Sequence, residues 1–305
     1  MTYPFGIDIS SYQANKEGTL RVNFDTMMNA SNPPQFIGIR SGQGATYKDP
    51  QYSYNWGKAS EKSLPRIAYH VLEFGVDGKT QAEMFYARVK AHGYTQYDRL
   101  CLDLEVARSF DRNKITLESL KAINRLAELT GRFPLCYSRA SWINEHLHAI
   151  LLPKLDYWLA QYKNPLPWPL FTTEFDSAKM IVPKGVERSQ IKIHQTGDKG
   201  NGSKYGAQSY YVDLDRFLGT ADELTAYFGH THNVYLPIVI TPPAQEPDPL
   251  YRARVIADVL NIRSEPVYPA DNVVGQLTEG TTVNVYEERV GRTKNMLRGV
   301  TQWTS

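Results

Sequence analysis

The feature that most constrains this chain is a recurrence. Eight short β-like runs follow one another: FGIDI (5–9), FIGIR (36–40), RIAYHVL (66–72), LCLDLEV (100–106), PLCYS (134–138), DYWLAQ (156–161), IKIHQ (191–195) and YYVDLDRF (210–217). Helical patterns separate the early ones. TQAEMFYARVKAHG (80–93) spaces Ala82, Phe85 and Val89 along one side, and Gly93 stops it. TLESLKAINRLAELTG (116–131) places Leu117, Leu120, Ile123, Ala127 and Leu129 on one side, with Thr116 to cap its start and Gly131 its end. Further helical segments are predicted over 24–31, 51–62 and 140–150. After the fifth strand the connectors are short or Pro-rich, as in KNPLPWP (163–169). Strands alternating with helices pair in parallel, and eight strands close a barrel. The predicted fold is α/β: five βα units followed by three strands. An open doubly wound sheet is the alternative, but IRSGQGATY (39–47) offers only GxG, without the third glycine of a phosphate-binding loop.

Composition changes after residue 230. The stretch YLPIVITPPAQEPDPLY (235–251) carries Pro237, Pro242, Pro243, Pro247 and Pro249. Proline at this density favours extended, semi-rigid chain. Residues 231–252 therefore read as a linker between a domain at 1–230 and a small all-β piece at 253–305, too short for a large core of its own.

Charge and hydropathy exclude some classes. A formal net charge of +2 gives no basic field for nucleic acid. No run approaches the length of a membrane-spanning helix. MTYPFGIDIS runs straight into a strand without a basic leader or a long apolar stretch, so no signal peptide is expected and the chain reads as made in the cytoplasm. A secreted protein whose leader was removed is the alternative. Cys101 and Cys136 both lie in apolar strand-like runs and are expected to be buried free thiols.

Chemistry gathers on the strands. LCLDLEVA (100–107) holds two carboxylates, Asp103 and Glu105, on one face of an otherwise apolar strand. Two like charges placed so cost stability unless something uses them. In a parallel barrel the chemistry sits at the C-terminal strand ends. Asp8 in the first strand and Asp213 and Asp215 in the eighth are predicted near the same end. Strands one and eight are neighbours in a closed barrel, so Asp8 and Asp213 are expected to approach each other; Asp215 reads as a cap or salt-bridge partner. Acids crowded around one mouth raise at least one pKa, which keeps a carboxylic acid protonated for a leaving group. The cluster lacks the spacing of a calcium loop, and His70 and His194 have no HExxH-type spacing, so no metal is expected. No cofactor is expected either. Tyr69, His70, Tyr137, Trp158, Tyr162 and Trp168 surround the same strands. Carboxylates with aromatic faces suit a polysaccharide groove.

These residues resemble a known family. GIDISSYQ (6–13), IRSGQG (39–44), the spaced Asp49, Tyr52, Asn55 and Ala59, AYH (68–70), LDLE (102–105), YS (137–138), WLAQY (158–162) and GxxxYYVDLDRF (206–217) occur in the order found in lysozyme-type glycoside hydrolases of family 25. The resemblance implies an irregular TIM-like barrel and cleavage of the β-1,4 bond between N-acetylmuramic acid and N-acetylglucosamine in peptidoglycan. It makes Glu105 the general acid/base. Asp103 would stabilise the charged intermediate or orient the substrate's acetamido group, and Asp8 and Asp213 are the other acids of the mouth. The expected substrate-binding residues are Arg40, Tyr69, His70, Tyr137, Trp158, Tyr162 and Gln195. Three departures stand out: Val71 where an aromatic often follows Tyr-His, His194-Gln195-Thr196 in place of Trp-Gln-Tyr, and Asp215 in place of Asn. The first two are expected to alter the groove wall.

Residues 254–288, RVIADVLNIRSEPVYPADNVVGQLTEGTTVNVYEE, resemble a bacterial SH3-type domain, with Gly275 and Gly280 at turns. The expected partner is bacterial peptidoglycan, its glycan in the barrel groove and its peptide at the small domain. The whole reads as an endolysin-like muramidase that acts on the wall after release. The alternatives are another hexosaminidase, of glucosaminidase or chitinase type, or a non-catalytic wall-glycan binder.

Overall fold

The computed structural model describes residues 3–149, 152–163, 174–229, 251–263, 273–285, 287–290, 295–298 and 303–304. The chain divides into two compact units, Met1–Ile238 and Val239–Ser305.

The first unit is a closed barrel. Its strands are β1 (Phe5–Ile9), β2 (Phe36–Gln43), β3 (Tyr47–Lys48), β4 (Arg66–Val71), β5 (Arg99–Asp103), β6 (Leu135–Arg139), β7 (Tyr157–Ala160), β8 (Ile191–Asn201) and β9 (Tyr211–Phe217). The sheet order is β1-β9-β8-β7-β6-β5-β4-β2-β3, and an added β1–β2 pairing closes it. The two-residue β3 is a hairpin partner of β2 outside the ring. Pairing is parallel from β1 through β2 and β4 to β8. The last strand departs from the expected parallel arrangement. β9 is antiparallel to both β8 and β1. Consequently Asp213 reaches the mouth near the start of its strand, and Asp215 lies one layer deeper, opposite Gly6.

Alternation sorts the strand residues. Phe36, Ile67, Cys101, Leu135, Trp158, Ile193 and Phe217 pack together inside the barrel, where Leu224 and Phe228 of a terminal helix, α6 (Ala221–Gly229), close the base. Ile7, Ile37, Ile39, Leu102, Leu104 and Leu159 face outward into a second layer with the helices. These helices are α1 (Phe24–Met28), α2 (Tyr52–Glu61), α3 (Gly78–Ala91), α4 (Arg112–Thr130) and α5 (Ala140–His146). Ala82, Phe85 and Val89 of α3 are fully buried, as their spacing predicts. α4 departs in two ways. It starts earlier, capped by Asp111, whose side chain accepts from the Lys114 amide, while Thr116 lies inside the helix and returns its hydroxyl to the Arg112 carbonyl. Its buried stripe runs through Ile115, Ser119, Ala122, Ile123 and Leu126; Leu117 is half-exposed. Gly131 ends it in the left-handed conformation, at φ 76°. Both cysteines are free and buried.

One charged pair is locked into the barrel's outer base. Arg66 donates to Asp98 through Nε at 2.8 Å and Nη2 at 2.9 Å. Asp98 also receives the Thr95 hydroxyl at 2.9 Å. The Arg66 guanidinium stacks 4.2 Å above the Trp56 ring.

The second unit contains β10 (Tyr251–Arg254), β11 (Val259–Arg263), β12 (Val273–Thr278), β13 (Thr282–Val285), β14 (Glu287–Val290), β15 (Asn295–Arg298) and β16 (Trp303–Thr304). β10 pairs with β13, and the others form a five-stranded sheet in the order β12-β11-β16-β15-β14. All of its pairings are antiparallel. Gly280 sits at a turn with φ +86°. Gly275 does not; it pairs with Ile262 within β12. Most of the predicted linker lies outside the described residues, and its last two positions belong to β10. Trp168 also lies outside them. Among the described residues no helix is long and apolar enough to cross a membrane.

Candidate active site

The C-terminal ends of the parallel strands open into a cavity of about 420 Å³. Asp8 in β1 stands directly opposite Asp213 in β9. Asp103 ends β5, and Glu105 follows two residues on; all four acids line the cavity. The two carboxylates of LDLE thus face Asp8, and the intervening Leu104 is buried in the outer layer. Asp8 and Asp103 are only 5% and 4% exposed, whereas the Glu105 side chain keeps 34% of its surface and so stays within reach of a bound polymer.

Trp158 and Gln195 tie the floor together. Gln195 donates from Nε2 to Asp8 Oδ2 at 2.5 Å. Its Oε1 accepts from the Tyr137 hydroxyl at 2.7 Å and from the Tyr162 hydroxyl. The amide therefore has one orientation: oxygen toward two phenols, nitrogen toward the acid. Trp158 donates from Nε1 to Asp215 Oδ1 at 2.8 Å. Its ring meets Tyr69 and Tyr137 edge-on, with centroids 6.2 and 5.4 Å apart. Gly38 makes this possible. A Cβ there would lie 2.4 Å from the Trp158 ring and 2.8 Å from the Asp8 side chain.

Arg40 forms the rim. Its Nε donates to Asp49 at 2.8 Å, and its guanidinium lies 4.8 Å from the Tyr12 ring and 5.5 Å from the Tyr47 ring. On the opposite side, Arg139 at the end of β6 approaches Glu105 at 3.8 Å.

Burial controls the electrostatics. It pushes the Asp8 carboxyl up to about 7, opposed most by the hydrogen bond from Gln195 and aided by the Glu105 charge. Asp103 is raised well above the usual carboxylate range by burial, then by Glu105 and Asp8, against Arg40 and Arg139. Asp213 is raised by burial and by Asp8, Asp198 and Glu105. A dry floor with several acids holds protons that ordinary aspartates release. Asp103 Oδ1 is buried without a donor among the described residues.

Of the predicted substrate-binding residues, Arg40, Tyr69, Tyr137, Trp158, Tyr162 and Gln195 line the cavity. His70 does not. As the neighbour of the inward-facing Tyr69 it must face outward. There it stacks on Phe85 at 5.1 Å and bonds through Nε2 to the Gly44 carbonyl, and burial lowers its pKa to about 3. His194 and Thr196 flank Gln195 and also face outward. His194 contacts the Ser177 hydroxyl and the Gln161 carbonyl, and Thr196 donates to Glu174. That departure therefore leaves the groove wall untouched, while Val71 does line it. Among the described residues Asp215 caps no helix and joins no salt bridge; it is fully buried beneath the mouth and bonded to Trp158.

Sequence reasoning missed Ser10, Tyr12, Gln13, Arg139 and Asp198 in the lining. Ser10 and Gln13 form a reciprocal capping pair at the end of β1, and Arg139 ends a parallel strand, so the strand-end rule reaches it. Asp198 has no such signal, because β8 runs on past two register shifts. Among the described residues no group of three His, Cys, Asp or Glu is arranged to hold a metal ion.

Comparison with known proteins agrees with this architecture. The profile of glycosyl hydrolases family 25 matches residues 7–172, more than half the chain. The uncharacterised protein YegX of Escherichia coli K12 is 27% identical over 199 residues, 63% of this chain and 62% of its own. The match thus spans less than two thirds of that relative. The bacterial lysozyme of Streptomyces coelicolor superposes with a TM-score of 0.58 at 22% identity, covering 76% of this chain and 100% of its own. A muramidase from Trichobolus zukalii gives 0.57 at 24% identity, covering 74% and 99%. At these identities the likeness to solved structures speaks for the fold.

Proposed function

The chain belongs to family 25 of the glycosyl hydrolases, and on that premise we propose that it is an N-acetylmuramidase. It cleaves the β-1,4 bond between N-acetylmuramic acid and N-acetylglucosamine in peptidoglycan. The observation that carries this reading is the meeting of Asp8, Asp103, Glu105 and Asp213 in one aromatic-walled groove. Glu105 is the general acid: its proton passes to the glycosidic oxygen as the bond from the sugar C1 breaks, and the carboxylate later takes a proton from the attacking water. Asp103 faces the same sugar. Lining the cavity, its carboxyl would meet an acetamido group and orient it toward the reacting carbon. The test is digestion of purified peptidoglycan followed by mass analysis of the new reducing ends. N-acetylmuramic acid is expected there. N-acetylglucosamine at those ends would make the enzyme a glucosaminidase instead.

The second unit would hold the enzyme on the wall by binding its peptides, a reading supported by its small antiparallel sheets and by the likeness of 254–288 to SH3-type domains. Two linked sites on one polymer raise the effective concentration of the catalytic groove at its substrate. Deleting 231–305 is expected to lower co-sedimentation with walls by about tenfold or more, while cleavage of small soluble glycan stays within about twofold. Unchanged co-sedimentation would remove the small unit from the binding role.

A further inference from the structure

Asp215 is a buried acid that the reaction above does not use. It lies one layer below the groove, with no exposed surface. Oδ1 accepts from Trp158, but Oδ2 has no donor among the described residues. Asp8 and Asp215 point inward from the paired strands β1 and β9, one alternation step apart, and both are buried, so their carboxyls are neighbours in the dry interior. Two ionised carboxylates cannot stand side by side in a dry site without a donor between them, because neither has a hydrogen to give. A single proton resolves both problems. It supplies the missing donor and removes one of two adjacent charges.

We propose that Asp8 and Asp215 share one proton in the working enzyme, and that Asp215 is a positioning residue that keeps the pair at a single negative charge beneath the groove. The surroundings favour this state. Glu105 beyond the β5 end and Glu174 add negative potential around the pair, and the buried acids Asp103 and Asp213 crowd it. Tyr69, Tyr137 and Tyr162 face Asp8 as neutral phenols, and Cys101 lies below as a neutral thiol. The cations at the rim are Arg40, already committed to Asp49, and Arg139, which stands beside Glu105, while Lys199 faces Asp213 from β8. Losing the shared proton would put a second charge beside Asp213 with no new cation to meet it. Activity should then fall on the alkaline side as the pair, acting as a unit, gives up that proton.

The idea rests on the muramidase reading for its activity readout but not for its proton. Asp215→Asn keeps an oxygen for Trp158 and offers a permanent N–H to Asp8, so no proton is needed. The variant is expected to keep its peak rate within about threefold of the parent and to move the alkaline limb of kcat/KM upward by about one pH unit or more. An unmoved limb would reduce Asp215 to packing, and a folded variant inactive at every pH would mean that Asp215 must itself be an acid; either result overturns the proposal. The proton can also be read without substrate or variant. In the parent protein labelled with 13C at the aspartate carboxyls, the pair should titrate in two widely separated steps, the upper near or above neutrality. Ordinary, independent aspartate titrations at both residues would sink the shared proton while leaving the muramidase reading standing.

Discussion

Glu105→Gln is expected to lower reducing-end release from purified peptidoglycan by a factor of about 10² to 10⁴, the range that a positioned general acid contributes. Glutamine has nearly the same shape but carries no proton that it can deliver to a leaving oxygen. The fold should not notice. Glu105 lies beyond the end of β5, is partly exposed, and among the described residues has only a long ion-pair contact, with Arg139 at 3.8 Å. Surface pairs of this kind contribute little to stability. Circular dichroism and the thermal midpoint should therefore match the parent, separating loss of chemistry from loss of structure. A variant that clears walls at the parent's rate would strip Glu105 of its role.

The largest expected effect on stability comes from the opposite pole. Removing one partner of a buried, bidentate pair leaves the other charge stranded, at a cost of about 3–5 kcal/mol. Asp98→Ala does this to Arg66, whose side chain is 8% exposed beside an aspartate at 4%. The same change removes the acceptor of the Thr95 amide and hydroxyl. Calorimetry of the full chain should show the transition of the first unit falling by many degrees while the groove chemistry is retained at low temperature. Replacing both partners, as in Asp98→Ala with Arg66→Met, should recover part of the loss, because no charge is then left buried. A loss below about 1 kcal/mol for the single variant would mean that Arg66 finds water or another partner.

Much of this architecture was legible from period alone. Each of the eight runs became a barrel strand, and alternation put Cys101, Asp103 and Glu105 inside with Leu102 and Leu104 outside. The same rule bears on His70: neighbours in one strand cannot both face the groove, and Tyr69 is the inward one. Strand direction carries no periodic signal, so the reversal of β9 was missed. A clue was present, because the short stretch between β8 and β9 leaves no room for the crossover that a parallel pair needs. The start of α4 was obscured for another reason. Its first turn, Arg112-Asn113-Lys114, is polar, and the apolar pattern begins after the true cap at Asp111. Proton sharing between Asp8 and Asp215 was out of reach, since it depends on depth within the barrel rather than on either strand's own pattern.

The reversed final strand also governs when the groove can exist. β1 precedes every other barrel strand in the chain, yet it pairs with β9, and Asp8 receives its bond from a glutamine 187 positions away. Closing a chain loop of that length is slow compared with forming local βα contacts. Until β9 docks, β1 and β8 are open sheet edges, prone to pairing with other chains. Asp213 arrives only with that strand. Before that the nascent barrel has no groove, and its last strand both protects the exposed edges and completes the ring of acids.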